Sequence, residues 1–367
     1  MKIMESSTSE YNITTSSEFT SNSCEYSNTT TQSNTAITLE DFLEYQISVQ
    51  IHLYYLPVLL FIGIPGNAIT FVVLVFSSFR KSTTSMYLAV ISVLDTLILL
   101  VSAFWYANRE VSQLDLINDV TCKLVFVVFY FSIHYNVLLV VAVTVERFIV
   151  VVFPLKAQLW ISMRRTVVVI VCCGVFSFGL NLCHVFIRTA KVSRTTGKYF
   201  CGRTREPATK LFLEKAFPWI DSLLYCILPM MSLFALNTIM IHHMKKHISR
   251  CLSLRNSKTN ENQSNQRQMT VMLLLVSFSF LLLTGPMGIV LIVERYVWIP
   301  RTLKQTAVSR LLHSVIDNMM YMNHAINFMF YCFTGRKFRN ELKRMCCCFA
   351  CKRRKSGVQQ AISSVSG

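Results

Sequence analysis

The chain has 367 residues, of which 53% are hydrophobic and only 15% are charged, and its formal net charge is +17. Soluble domains carry about 25% charged residues, so this composition argues against a protein that folds in water alone. The basic residues lie mainly in short segments between long apolar runs. We therefore expect them to contact membrane lipid and cytoplasmic partners, and we expect no nucleic-acid partner.

The first segment, residues 1–47, is rich in Ser, Thr and Asn and poor in apolar residues. Such a segment cannot bury enough apolar surface to fold, so we predict that it is disordered. Asn12 and Asn28 each begin an Asn-x-Thr triplet and are candidate glycosylation sites. The alternative is a chance match, because such triplets arise often in Ser/Thr-rich sequence.

Residues 48–334 contain seven apolar runs, and a helix of about 20 residues is long enough to cross a bilayer. A helix satisfies its own backbone hydrogen bonds in lipid, and these runs are longer and less alternating than the strands of a membrane barrel. The sequence therefore predicts an all-α membrane protein, a seven-transmembrane helix bundle. The runs cover 51–78, 85–108, 121–153, 165–187, 217–244, 269–297 and 306–333.

The charges between the runs predict the orientation of the chain. Arg80-Lys81 after the first run, the segments between runs three and four and between five and six, and the tail are all basic and share one side. Basic loops favour the cytoplasm, so we expect an extracellular N-terminus and a multi-pass protein of the plasma membrane. The loop from Arg188 to Lys215 is also basic and opposes this assignment, but early segments usually dominate topology.

Ionisable side chains inside the runs are the unusual feature of this sequence. Each costs about 2.5–3.5 kcal/mol on insertion scales, so such residues usually face a protein or water-filled interior. They are Asp95, Glu146, Arg147, Asp221 and Asp317. Taken alone, the adjacent Glu146 and Arg147 favour an ion pair that extends to the membrane surface.

Several motifs occur in the order and spacing of one receptor family. They are Gly66-Asn67, Asp95, Glu146-Arg147-Phe148 followed by Pro154-Leu155, Pro229, Phe280, Pro286 and the stretch from Asn323 to Tyr331. With these motifs the chain resembles a rhodopsin-like (class A) G-protein-coupled receptor over about residues 48–350. The stretch "WIDSLLYCILPMMSLFALN" is similar to invertebrate FMRFamide-type neuropeptide receptors. The chain departs from the family pattern at Phe328, which replaces the helix-seven proline, and in lacking the helix-four tryptophan.

The resemblance implies roles for individual residues. It implies a disulfide between Cys122 and Cys201 that holds the second external loop over the cavity mouth. It also implies that Arg147 leaves Glu146 and faces a heterotrimeric G protein on activation, with Tyr331 as a hydrogen-bonding companion. A static ion pair is the alternative for Glu146 and Arg147.

The resemblance further implies a polar network of Asp95, Asn136, Asn323 and Asn327 that binds an allosteric sodium ion and favours the resting state. One carboxylate and several oxygens suit a hard cation. An ion-free network filled with water is the alternative. We expect no other cofactor.

By the same resemblance, a ligand pocket opens outward between the helices. Phe129 replaces the aspartate of amine receptors and Tyr321 replaces the retinal lysine of opsins, so we favour a short peptide agonist. Asp221 and Asp317 would meet its basic group, whereas the basic second loop favours an acidic ligand as the alternative. The pocket residues are Trp105, Phe126, Phe129, Tyr130, Asp221, Tyr225, Glu294, His313, Asp317 and Tyr321.

After the bundle, residues 335–349 resemble an amphipathic eighth helix, and 350–367 form a cytoplasmic tail. Cys346, Cys347 and Cys348 follow basic residues and are candidate palmitoylation sites, with free thiols as the alternative. Arrestin is an expected partner of such a receptor. No catalytic motif occurs in a usable context, so we expect no enzyme. An orphan chemosensory receptor on the same fold, or an ion-coupled transporter, remains the alternative, although no internal repeat supports transport.

Overall fold

The computed structural model describes residues 38–110, 116–192, 197–204, 216–253, 261–298 and 300–345. The long helices are α1 (Leu43–Phe76), α2 (Thr83–Glu110), α3 (Asp119–Val152), α4 (Met163–Asn181), α5 (Phe217–Ser222, Leu223–Ile227 and Leu228–Ser253 in succession), α6 (Glu261–Tyr296), α7 (Leu303–Ala325 continued by Asn327–Thr334) and α8 (336–345). The shorter elements are 3-10 turns at Leu39–Asp41 and Ser78–Lys81, helices at Pro154–Trp160 and His184–Ile187, and strands β1 (Arg188–Val192) and β2 (Tyr199–Arg203).

The seven-helix bundle predicted from the apolar runs is confirmed. Within the described residues, six helices are long and apolar enough to cross a membrane, and α7 packs among them as the seventh. α7 is more polar because much of it faces the interior of the bundle, where His313, Asp317 and Asn323 are buried. Polar groups are tolerated at membrane depth when protein surrounds them.

Two boundaries differ from the sequence prediction. α1 begins at Leu43, inside the segment predicted to be disordered up to residue 47. A 3-10 turn precedes it, and the turn is capped by reciprocal hydrogen bonds between Thr38 and Asp41. At the other end, α8 covers 336–345 of the predicted 335–349, and residues 346–367 lie outside the described residues.

α5 changes from α-helical to π-helical geometry at Leu223–Ile227, just before Pro229. Proline lacks a backbone N–H and its ring crowds the carbonyl four residues earlier, which is Tyr225 in this helix. A π-helical turn accommodates such a break, and π-bulges often occur at functional sites. The turn contains the buried side chain of Tyr225, so it also sets the direction of a residue predicted to line the pocket.

The chain after α4 forms an antiparallel hairpin. Strands β1 and β2 pair with Ala190 opposite Cys201 and Arg188 opposite Arg203. Cys201 forms a disulfide with Cys122 at the start of α3, across a sequence separation of 79 residues. The structure thus contains the disulfide that the resemblance implied, and it fixes the hairpin to the end of the bundle where α3 begins. We call this the outer end, and the opposite one the inner end, after the predicted orientation.

Tyr135 of α3 packs against α4, the helix that lacks the tryptophan of the family pattern. The Tyr135 hydroxyl donates a hydrogen bond of 2.9 Å to the carbonyl of Ile170 on α4. A Cβ added to Gly174 would lie 3.2 Å from the Tyr135 ring, so glycine makes room for this contact. This contact joins α3 to α4 at the level of Gly174.

α7 breaks at Ile326, one residue before its second part begins. The following Phe328, which replaces the family proline, packs against α1, where a Cβ on Gly66 would lie 3.0 Å from the Phe328 Cβ. Phe328 also contacts Phe338 of α8, with ring centroids 6.2 Å apart. The bend thus survives without proline, and an aromatic contact connects α7 to α8.

Candidate functional site

Glu146 and Arg147 are both buried at the inner end of α3, 6% and 4% exposed. Arg147 Nη2 lies 3.3 Å from Glu146 Oε1. Glu146 also accepts hydrogen bonds from three hydroxyls of neighbouring helices. They are Thr83 (2.5 Å) and Thr84 (3.2 Å) of α2 and Thr166 (3.4 Å) of α4. The carboxylate therefore joins α2, α3 and α4 while it holds the guanidinium beside it.

Tyr331 is buried near the end of α7 and packs on Phe338 of α8 at 5.8 Å between ring centroids. Among the described contacts it makes no hydrogen bond to Glu146 or Arg147. Tyr331 lines an inner cavity of about 340 Å³. The other lining residues are Leu74, Phe79, Ser82, Ser85, Leu88, Gln268, Met269, Met272, Gly335, Lys337 and Phe338.

The inner end of α6 is hydrogen-bonded to the end of α7. Gln268 Nε2 donates a hydrogen bond of 2.5 Å to the carbonyl oxygen of Thr334. Deeper in the bundle, the hydroxyls of Thr144 on α3 and Ser277 on α6 lie 3.3 Å apart. These contacts hold α6 close to α3 and α7, so an outward movement of the inner end of α6 requires both to break.

Asp95 of α2 is fully enclosed and accepts hydrogen bonds from three side chains, each at 2.7 Å. Asn136 of α3 donates to Oδ1 and Asn327 of α7 donates to Oδ2. The third partner is His324, whose Nδ1 lies beside Oδ1. The sequence reasoning grouped Asp95 with Asn136 and Asn327, which the structure brings together, but it missed His324.

Asn323, the remaining member of the predicted network, points elsewhere. Its Oδ1 accepts a hydrogen bond of 3.4 Å from Ser279 of α6. Neighbouring residues on a helix differ in direction by about 100°, so only one of Asn323 and His324 can face Asp95. The sequence contained no signal that distinguished them, because both are polar and both precede the bend at Ile326.

The outer half of the bundle contains a layer of aromatic side chains that includes five of the predicted pocket residues. Phe126 contacts Trp105 of α2 at 5.6 Å and Tyr130 at 6.2 Å between ring centroids. Tyr130 contacts Phe129 at 5.9 Å. On the α5 side, Tyr225 reaches Phe280 of α6 at 6.5 Å. The layer therefore spans α2, α3, α5 and α6.

The two acids predicted to meet a ligand lie on different helices of this outer half. Asp221 of α5 pairs with His134 of α3, with Oδ1 and Nε2 3.2 Å apart. Asp317 of α7 is buried and close enough to Tyr225 and Tyr321 to interact electrostatically. Asp221 thus already has a basic partner within the bundle, which the sequence reasoning did not foresee.

Three further side chains of the outer layer were missed from the sequence. His184 stacks on Tyr130 at 4.2 Å between ring centroids and Phe217 contacts His184 at 5.3 Å. The Arg188 guanidinium lies 3.9 Å above the ring of Phe126. His184 begins the short helix after α4, Arg188 begins β1 and Phe217 begins α5, so all three lie at the ends of elements, where helical periodicity gives no direction. The packing of these ends, with the hairpin held by its disulfide, brings them over the layer.

Several predicted residues are not tested by these contacts. His313 is buried on α7 one turn before Asp317. The side chain of Glu294 lies outside the described residues, as do Asn12 and Asn28 and Cys346, Cys347 and Cys348. No group of three His, Cys, Asp or Glu side chains that would hold a metal ion occurs in the part of the chain that the structure describes.

A seven-helix bundle with a buried polar centre, a disulfide-fixed outer hairpin and a Glu-Arg pair at the inner end is the architecture of a heptahelical membrane receptor. Residues 66–331 match the family described as 7 transmembrane receptor (rhodopsin family). This match covers more than half of the chain, so the chain belongs to that family and is a multi-pass membrane protein.

Among curated proteins, the chain is similar to C-C chemokine receptor type 9 of Mus musculus, with 23% identity over 284 residues. The aligned region covers 77% of this chain and 73% of the mouse protein. The same receptor of Homo sapiens is 22% identical over the same shares of both chains. The similarity to FMRFamide-type receptors stays a prediction.

Proposed function

We propose that this chain is a plasma-membrane receptor that binds an extracellular peptide at its outer end and activates a heterotrimeric G protein at its inner end. The N-terminus is extracellular in this proposal, and the basic inner segments and tail lie in the cytoplasm. Arrestin and anionic lipid are the further partners. The chain carries out no catalysis of its own.

The observation that carries this proposal is the Glu146–Arg147 pair. Arg147 is a planar cation with several donors, held by an acid that hydroxyls of α2 and α4 also hold. Such an arrangement has two discrete states, because a partner that supplies other acceptors can replace Glu146. The family membership supports a G protein as that partner.

A peptide ligand is supported by two observations. The names of the similar proteins describe chemokine receptors, and chemokines are polypeptides. The outer half also combines aromatic rings with buried acids, a combination that suits a ligand with both apolar and basic groups. Because Asp221 is already paired with His134, a basic ligand group would compete with that imidazole, whereas Asp317 approaches from a different helix, α7.

A peptide library applied to cells that express the full chain tests the proposal, with calcium and cyclic nucleotide as readouts. We expect a peptide agonist whose response is lost in Arg147→Ala at equal surface expression. Arg164→Ala is the matched comparison, because Arg164 is an exposed arginine at the inner end of α4 and one of many basic residues there, so its response should fall far less. A response that survives Arg147→Ala would contradict the role of Arg147.

The ligand side is tested separately with the same agonist. Asp317→Asn keeps the size of the side chain and removes its charge, so agonist potency should fall about tenfold or more if a basic group of the ligand pairs with it. Glu40→Gln is the control, because Glu40 is an exposed acid at the outer end of the chain. Unchanged potency in Asp317→Asn would contradict charge pairing at this residue and leave the G-protein result unaffected.

A further inference from the structure

The Asp95 cluster differs from the sodium site that the resemblance to the family implies. We propose that the imidazole of His324 takes the place of the sodium ion beside Asp95, so that this receptor is held in its resting arrangement by a side chain of its own and does not respond to sodium. The inference does not rest on the ligand or the G protein, because it concerns only the contacts of Asp95.

The geometry around Asp95 carries the proposal. Its two carboxylate oxygens lie within hydrogen-bond distance of His324 Nδ1, Asn136 Nδ2 and Asn327 Nδ2, each at 2.7 Å. An ionised carboxylate only accepts hydrogen bonds, so we assign a hydrogen to His324 Nδ1 that points at Oδ1. Oδ1 therefore accepts two hydrogen bonds and Oδ2 accepts one, which leaves the carboxylate surrounded by N–H groups.

This set of donors does not fit a sodium ion. A hard cation needs several oxygen atoms directed at it from a shared cavity. Here the partner atoms nearest to Asp95 are nitrogens that carry hydrogens, and the amide oxygen of Asn323 faces Ser279 instead. A cation placed beside Asp95 Oδ1 would face the partly positive hydrogen on His324 Nδ1, and the two would repel each other.

The backbone holds His324 in this position. Asn67 of α1 donates a hydrogen bond of 2.9 Å from Nδ2 to the carbonyl oxygen of His324. Close contacts between α1 and α7 at the preceding turn support the arrangement, since a Cβ on Gly63 would lie 2.8 Å from the Cβ of Ala325. His324 is thus held from α1 through its backbone carbonyl and from α2 through its imidazole, and the residue is only 1% exposed.

His324 also connects the helices that a sodium ion would connect. Asp95 belongs to α2, Asn136 to α3 and the other two partners to α7. Tyr331, one turn beyond Asn327, is a further titratable side chain that interacts electrostatically with Asp95. A rearrangement of α7 against α2 must therefore break the His324–Asp95 contact. In a receptor with sodium at this place, the same rearrangement would have to release the ion.

The experiment measures the unfolding temperature of the purified full chain in sodium chloride and in choline chloride at equal ionic strength. The wild type should show no sodium-specific difference. His324→Ser opens space and offers a hydroxyl oxygen, so this variant should unfold about 2–4 °C higher in sodium chloride than in choline chloride. The double variant His324→Ser/Asp95→Asn should lose that difference, because the carboxylate charge is gone.

Two results would overturn the proposal. One is a saturable sodium-dependent rise in the wild type that Asp95→Asn removes, because sodium then binds with His324 in place. The other is a lack of any sodium effect in both His324→Ser and His324→Asn, because the imidazole is then not what excludes the ion. Should neither variant fold, the wild-type comparison decides alone, since a response contradicts the proposal and its absence supports it.

Discussion

The two buried acids at membrane depth, Asp95 and Glu146, are held in different ways. Asp95 receives amide and imidazole nitrogens from α3 and α7 at a uniform 2.7 Å. Glu146 receives threonine hydroxyls from α2 and α4 at 2.5 to 3.4 Å, and it shares its oxygen Oε1 with the neighbouring Arg147. Asp95 thus has three donors in fixed positions, whereas Glu146 has hydroxyl donors that can rotate and one cation, Arg147, that can move away.

The difference teaches how one bundle combines stability with switching. A threonine hydroxyl rotates about one bond and can turn to another acceptor when its first acceptor departs, as Thr166 can toward the Ser162 carbonyl one turn earlier. An asparagine amide or a histidine ring that loses its acceptor in a dry interior stays unsatisfied. Asp95 therefore contributes mainly to the stability of the bundle, whereas Glu146, whose hydroxyl partners can turn away, sets the balance between two arrangements.

The largest expected effect is the loss of stability in Asp95→Ala. Three buried donors lose their acceptor, at about 1–3 kcal/mol for each unsatisfied group. We expect Glu146→Ala to lower the unfolding temperature less, because its hydroxyl partners can turn to other acceptors and the long Arg147 side chain can extend toward the membrane surface when its partner is lost. Thermal unfolding of the purified chain checks the comparison, with Ser132→Ala, which removes another buried polar group of α3, as the control. Equal losses in the two alanine variants would show that the two acids do not differ as proposed.

Glu146→Gln should have the next largest effect, on basal signalling. The amide keeps the shape of the side chain and can still accept from the threonines, but Arg147 loses its charged partner. A hydrogen bond between charged groups contributes about 1.5–3 kcal/mol, so basal nucleotide exchange on an added G protein should rise about tenfold. Basal exchange that is unchanged or lower at equal receptor amount would contradict this role of Glu146.

Gln268→Ala tests a contact of α6 that touches neither acid. It removes one hydrogen bond to the Thr334 carbonyl, worth about 1 kcal/mol, so basal nucleotide exchange should rise about fivefold. Gln305→Ala is the matched control, because Gln305 caps α7 at its opposite end. If Gln268→Ala and Gln305→Ala show the same basal nucleotide exchange, the hydrogen bond between α6 and α7 does not restrain activation.

The smallest effect is expected for Thr166→Val. Its hydroxyl lies 3.4 Å from Glu146 Oε2, the longest of the three threonine contacts. We expect about a twofold rise in basal exchange, and a larger rise for Thr83→Val, which removes the 2.5 Å contact. The reverse order in the same exchange assay would mean that distance to Glu146 does not control the restraint.

Much of the site could be predicted because the residues lie on helices of regular period. The positions of α3 that face the bundle interior could be predicted from one helix and the motif at its end. They include Cys122, Asn136, Glu146 and the aromatic face, and the structure places their partners beside them. The pairing of Asp221 with His134 could not be predicted, since it depends on the π-helical turn that rotates the start of α5. His184 and Arg188 could not be predicted either, because a helix of only four residues and a hairpin strand position them, and neither gives a helical period to follow.

The sequence by itself determined the number of spans and the identity of the polar residues within them, because apolar length and buried charge have large costs in lipid. Only the tertiary structure decided that His324 and not Asn323 faces Asp95. The two residues are adjacent on α7, so the choice depends on the rotation of that helix about its own axis. That rotation is fixed by packing against α1 and by the bend at Ile326, which no local pattern of residues specifies.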